Sequence, residues 1–166
     1  KAWNERWALR RYGFHGLSHA YAFGAGAELA GVTPDARILT AHLGAGASLC
    51  AIHDSKSVDT TMGFTPLEGL VMVTRSGTVD PGLMLWLLDH TELSPHELSD
   101  AMEHKSGLAG LSGTSGDIRD VVAAMEAGDD GATTAWEVYN HRLAALAGQM
   151  ITAIGGLDLL VFTGGI

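Results

Sequence analysis

Cysteine is nearly absent. Cys50 stands alone among 166 residues, so no disulfide can form within the chain, and a reducing cytoplasm is the natural setting. Positive charge is scarce as well: ten lysines and arginines against nineteen acidic residues leave a net charge of −9. That is the wrong sign for a nucleic-acid surface or an anionic membrane. Long apolar runs are missing too. Gly82–Leu88 is among the longest, well short of the roughly 20 residues a membrane-spanning helix needs. No basic-then-apolar signal segment opens the chain. With 46% hydrophobic and 17% charged residues, disorder is excluded, and the length suits one ordinary domain with a sizeable core. What is abundant is glycine, 22 residues, pointing to tight turns and to close backbone approaches of the kind phosphate sites use.

The chain starts at Lys1 without Met and stops at Ile166, inside the run Leu159-Leu160-Val161-Phe162-Thr163-Gly164-Gly165-Ile166. That run reads as a buried strand and its turn, so a piece of a longer protein is expected. Lys1–Arg11 reads as a linker or an incoming helix. The pattern then predicts a helix from Ser18 to about Ala30, closed by Gly31, and strands at Arg37–His42, Ala47–His53 and Ser57–Thr61. Met62–Thr78 lacks periodicity and reads as an irregular functional loop. Pro81–Leu88 reads as a buried apolar helix. Ser94-Pro95-His96-Glu97 carries an N-cap, a proline at the first position and a capping-box Glu, opening a helix that should end near Gly107. Gly107–Gly116 is glycine- and serine-rich. A helix is expected over Asp117–Ala127, a long one from about Ala132 to Ile154, and a last strand at Leu159–Thr163. The class is α/β.

Several segments could carry chemistry. His42-Leu43-Gly44-Ala45-Gly46-Ala47-Ser48 sets two glycines between apolar strands, where backbone N–H groups can approach an anion; by itself it reads first as an ordinary hairpin turn. It matches neither the Walker pattern nor a GxGxxG leading into a helix. Gly13-Phe14-His15-Gly16-Leu17-Ser18-His19 places an imidazole between glycines, able to offset developing negative charge or simply to sit as a satisfied structural histidine. His15 and His19 are four apart, but no third zinc ligand is in sight. Arg75, in Thr74-Arg75-Ser76-Gly77, suits bidentate contact with phosphate or carboxylate, or a surface ion pair. Asp59 and Glu68 read more simply as turn and surface groups than as ligands. In Gly113–Asp120, Asp117 and Arg119 could meet an anion or a nucleoside; a plain N-cap at Ser115 or Asp117 is the simpler reading. Cys50 reads as a small buried hydrophobe.

Taken together, these segments resemble the acetate kinase (short-chain acyl kinase) family. The matching residues are Arg10-Arg11-Tyr12-Gly13-Phe14-His15-Gly16, His42-Leu43-Gly44, Lys56-Ser57-Val58-Asp59, Met62-Gly63-Phe64-Thr65-Pro66-Leu67-Glu68-Gly69-Leu70, Thr74-Arg75-Ser76-Gly77 and Phe162-Thr163, in order along nearly the whole chain. The resemblance implies the ribonuclease H-like fold of the sugar kinase/Hsp70/actin superfamily, a mixed sheet flanked by helices. It implies that 1–11 comes in from a missing N-terminal half and that 12–166 is most of the C-terminal, nucleotide-binding domain. It implies reversible transfer of the ATP γ-phosphoryl to acetate, giving acetyl phosphate and ADP, with Mg²⁺ and in a cytoplasmic homodimer. By position, His15 and Arg75 would stabilise the transferring phosphoryl group. His42, Leu43, Gly44, Ala45 and Gly46 would form a phosphate loop. Asp117, Ile118 and Arg119 would face the nucleoside, and Gly165 and Ile166 would begin the last ATP-contacting loop. No metal ligand falls in this chain, and the remaining catalytic groups lie outside it, so the piece alone is expected to be inactive.

Four positions depart from the usual family pattern: Leu17 for Thr, Ala45 for Asn, Val73 for Gly and Gly164 for Ala. A propionate or butyrate kinase of the same family, or a non-catalytic nucleotide-binding module, are the alternatives.

Overall fold

The computed structural model describes residues 1–165 and divides into two compact units, residues 1–69 with 144–166, and residues 70–143. Ile166, one of the expected ATP contacts, lies outside the described residues.

The first unit is built on a four-stranded mixed sheet of order β3-β2-β1-β4. Its strands are β1 (Ile38–Leu43), β2 (Ala47–His53), β3 (Lys56–Thr60) and β4 (Leu159–Thr163). The meander β1-β2-β3 is antiparallel, with an irregularity at Ala51/Ile52, whereas β4 returns parallel to β1 with His42 opposite Thr163. Nearly every residue of β1 and β2 is buried, as central strands covered on both faces require. On one face Ala36, Ile38, Cys50 and Ile52 form a core with Phe23, Ala27, Val32, Leu159 and Val161. Helix α2 (Gly16–Ala30) supplies the covering side chains and ends on Gly31, whose left-handed φ of 63° closes a C-cap onto Ala27 and Glu28. A short helix, α1 (Ala2–Trp7), precedes it.

Two ion-pair clusters tie loops to this unit. Arg37 clasps both carboxylate oxygens of Asp158 at 2.9 and 2.6 Å, joining the entry to β1 to the entry to β4. The contact draws the Asp158 carboxyl far below the usual carboxylate range. Arg11 reaches Glu68 at 3.2 Å, Asp59 at 3.6 Å and the Thr60 carbonyl. Asp59, which lies in β3 rather than in a turn, and Glu68 are thus ion-pair partners of Arg11.

The second unit is helical: α3 (Pro81–His90), α4 (Pro95–His104), α5 (Gly107–Ser112), α6 (Ile118–Glu126) and the first part of α7 (Asp130–Ala153). Its core gathers Val71, Leu108, Val121, Ala132, Ala135 and Tyr139. The capping box at Ser94 and Glu97 is formed, with both reciprocal bonds present.

Three expectations need correction. Helix α3 is present but not buried: Leu83, Leu85 and Trp86 are each about half exposed, because among the described residues nothing covers that face. The last strand is no more than half-buried, and only at alternate residues; as an edge strand it leaves Leu160 and Phe162 exposed on the face opposite Val161. The helix expected to run to about Gly107 stops at His104, and the glycine- and serine-rich stretch that follows contains a helical turn and a half of its own, α5.

Candidate functional site

In the first unit, three chain segments meet at one end of the sheet. Strand β1 ends at Leu43, and a three-residue hairpin loop, Gly44-Ala45-Gly46, leads to Ala47, the partner of Leu43. Strand β4, parallel to β1, ends beside it at Thr163 and enters Gly164-Gly165. The two turns are in intimate contact: a Cβ built on Gly164 would lie 2.2 Å from the Leu43 carbonyl oxygen. Gly44 has no left-handed φ, and a Cβ there would make only near-ordinary contacts, 3.4 Å to the Gly46 oxygen and 3.5 Å to His42 Nε2. The local fold itself therefore does not demand glycine at 44. The carboxyl ends of neighbouring parallel strands are where open α/β sheets receive ligands.

The N-terminus of α2 is the third segment. His15 is its N-cap and takes a left-handed φ of 57°, unusual outside glycine and tolerated here between Gly13 and Gly16. That backbone turns the imidazole onto His42: the two rings stack with centroids 4.3 Å apart and planes 27° from parallel. Ser18 meets His42 Nδ1 at 2.8 Å. Behind them His19, buried in the first turn of α2, touches Thr40 Oγ1 through Nδ1 and Ser48 Oγ through Nε2, both at 2.8 Å. Ser48 Oγ also lies 2.9 Å from His15 Nδ1. Burial, and then the neighbouring His15 and His42 rings, lower the His19 pKa from 6.5 to about 4, so His19 is neutral at physiological pH. The structure thus brings together His15, His42, Leu43, Gly44, Ala45, Gly46 and Gly165. His19, Ser18, Ser48 and Thr40 join them; the sequence reading did not assign these four to the site, because no local pattern shows that two residues of a helix and two strand hydroxyls will face one another.

The other expected residues belong to the second unit. Arg75 lies half-buried in a loop zipped along the segment that joins α4 to α5. Met72 N donates to the Arg75 carbonyl, Ser76 N to Met102 O, Ser106 N to Thr74 O, Leu108 N to Met72 O and Ala109 N to Val73 O. Gly107 makes this possible: its φ is +63°, and an added Cβ would meet Met72 O at 2.2 Å and the Arg75 backbone at 2.8–3.0 Å. Gly116, with φ +80°, presses against Val73 O in the same manner, bringing the Asp117 turn beside this loop. Sequence reading took both glycines only as part of a glycine- and serine-rich stretch.

Asp117 caps α6 by accepting from Arg119 N at 2.9 Å, and its carboxylate also accepts from the Arg119 guanidinium at 2.9 and 2.5 Å. These bonds hold its carboxyl down at about 2. The cap reading is therefore realised, while the Ile118 side chain packs on the unit's apolar core. Cys50 is buried, 3.2 Å from Ser57 Oγ, and burial raises its thiol pKa, as befits a small core residue rather than a nucleophile.

An α/β unit with a mixed four-stranded sheet flanked by helices has the fold of the sugar kinase/Hsp70/actin superfamily. Within that class the chain belongs to the acetokinase family, whose model matches residues 1–166. It is 50% identical over 165 residues to an acetate kinase of Microcystis aeruginosa and 48% identical to one of Nostoc punctiforme. In both cases 99% of this chain is covered, and the chain spans only about 40% of the relatives' length. Among solved structures, Porphyromonas gingivalis acetate kinase superposes with a TM-score of 0.96 at 42% identity, and a propionate kinase from Francisella tularensis with 0.92 at 40%. Each alignment covers 99% of this chain and 42% of the other. None of the described helices is long and apolar enough to cross a membrane.

Proposed function

We propose that the protein to which this chain belongs is an acetate kinase, moving the γ-phosphoryl group of ATP to acetate and back. A carboxylate oxygen attacks the γ-phosphorus, the bond to the β-phosphate oxygen breaks, and ADP leaves with that electron pair. The acceptor is already anionic at neutral pH, so no general base is required. What the reaction needs is positioning and donors aimed at the equatorial oxygens in flight. The observation that carries the reading is the convergence of the His15–His42 stack with the Gly44–Gly46 loop at the ends of β1 and β4.

In this reading His15 and Arg75 stabilise the transferring group. The loop His42-Leu43-Gly44-Ala45-Gly46 holds phosphate through backbone amides, which explains a glycine at 44 that the fold itself does not demand. Asp117, Ile118 and Arg119 face the nucleoside, and Gly165 and Ile166 open the last ATP-contacting loop. Mg²⁺, carried in with ATP, would supply charge neutralisation at the phosphates. Among the described residues no group of three His, Cys, Asp or Glu side chains is placed to hold a metal. The enzyme is cytoplasmic and homodimeric, and residues 12–166 form most of its nucleotide-binding domain.

A second reading, a propionate kinase, is favoured by the likeness to the Francisella enzyme. Both are tested by a hydroxamate assay on the full-length protein with ATP, Mg²⁺ and acetate, propionate or butyrate in turn. The most efficient acid names the enzyme. Arg75→Ala is expected to lower turnover by about 10³-fold, the scale at which arginines act in phosphoryl transfer. Full turnover in that variant would remove Arg75 from the chemistry, and no product with any acid would leave a nucleotide-binding relative without the reaction.

A further inference from the structure

We infer that Thr40, Ser48 and His19 form a buried hydrogen-bond relay that fixes His15 with its proton on Nδ1, so that His15 meets the phosphoryl group through Nε2 and acts there as an imidazolium. The inference rests on the kinase reading for its catalytic meaning, but the relay itself is a matter of geometry.

The argument starts at the far end. The Cys50 carbonyl can only accept, and the Thr40 hydroxyl donates to it at 3.4 Å. With its one proton committed there, Thr40 Oγ1 accepts from His19, so Nδ1 of His19 carries the N–H. His19 is held neutral, with only one ring proton, and its Nε2 is therefore an acceptor. Ser48 Oγ, 2.8 Å away, gives its proton to that nitrogen. Its lone pairs then accept from His15 Nδ1–H at 2.9 Å.

Taken from the Cys50 end, the donors run in one direction and the chain closes on the Nδ1–H tautomer of His15. The reverse direction, with Thr40 donating to His19 Nδ1, would close it on the Nε2–H form, and the spectrum below decides between them. Relays of this kind stiffen a site because each polar atom is satisfied by a fixed neighbour. The stack on His42 restrains the other degree of freedom, rotation of the ring. With Nδ1 permanently protonated, Nε2 can donate to a phosphoryl oxygen only when the ring is positively charged, the state that best offsets the charge of the transferring group. Serine at 48 and histidine at 19 are thus positioning residues, acting through His15.

The test uses full-length protein carrying ¹⁵N-labelled histidine, with the His15 resonances assigned from a His15→Asn variant. In the wild type, neutral His15 is expected in the Nδ1–H form. Ser48→Ala is expected to shift it toward the Nε2–H form and to lower kcat by about 10- to 100-fold, with KM for ATP and acetate changed by less than about twofold. Ser48→Thr, which keeps the hydroxyl, restores both readouts. Thr40→Val, which keeps the shape, is expected to move the His15 tautomer in the same direction should Ser48→Ala fail to fold. An Nε2–H form in the wild type, or an unchanged kcat in a folded Ser48→Ala enzyme, overturns the relay. Because the tautomer is read without turnover, a wild type that made no acyl phosphate would count against the kinase reading while leaving the relay to be decided by the spectrum.

Discussion

Gly107 offers the sharpest prediction. It sits at the start of α5 with φ +63°, where an L-residue is strained by about 1–2 kcal/mol. It is also wedged against backbone: an alanine Cβ would lie 2.2 Å from Met72 O, 2.8 Å from Arg75 O and 3.0 Å from Arg75 N. Ordinary carbon–oxygen contacts begin at about 3.3 Å, so the Arg75 loop must retreat by roughly 1 Å. No flexible side chain can yield instead. Adding about 1–3 kcal/mol for forced repacking, Gly107→Ala should cost about 2–5 kcal/mol in all. Displacing Arg75 by that distance should lower kcat by about 10²-fold. The comparison is Gly113→Ala, where φ is +69° but no atom lies within 4 Å of the built Cβ, so only the conformational strain should appear. Urea unfolding and the hydroxamate assay on both full-length variants separate the two contributions. If Gly107→Ala were no less stable than Gly113→Ala, with kcat unchanged, the idea that this glycine seats the arginine loop would be wrong.

Two further outcomes are expected. Ala45→Asn places an amide in the exposed loop beside Gly44, adding a donor worth about 1 kcal/mol, and should lower the ATP KM several-fold; an unchanged KM removes the loop from phosphate binding. His19 should titrate near 4 by NMR rather than near 6.5. Because its folded pKa lies below the unfolded value, the stability it contributes is complete above about pH 6.5 and is lost as pH falls from there toward 4. A His19 midpoint above 6 would refute its burial as a neutral group.

The amino-acid sequence by itself determined the element plan wherever local rules suffice. Ala47–His53 forms β2 with the expected bounds, Ser94 and Glu97 close their capping box, and Gly31 ends α2, because hydrophobic alternation, capping bonds and left-handed glycine act over a few residues. It also determined the family, since motifs spread along the whole chain carry far more information than any one turn. The site's second layer was another matter. Ser48 and Thr40 are ordinary strand residues until β1 and β2 pair and turn them toward α2, where His15 and His19 wait 21 to 33 positions away. The same distance hid the role of Gly107, whose partners at Met72 and Arg75 are more than thirty residues earlier. Burial misled at Pro81–Leu88 and at Leu159–Thr163: apolar composition shows that a face can be covered, but only the packing of neighbouring elements decides whether it is. Short-range chemistry wrote the elements and the chemical groups; tertiary contact alone decided which of those groups face one another.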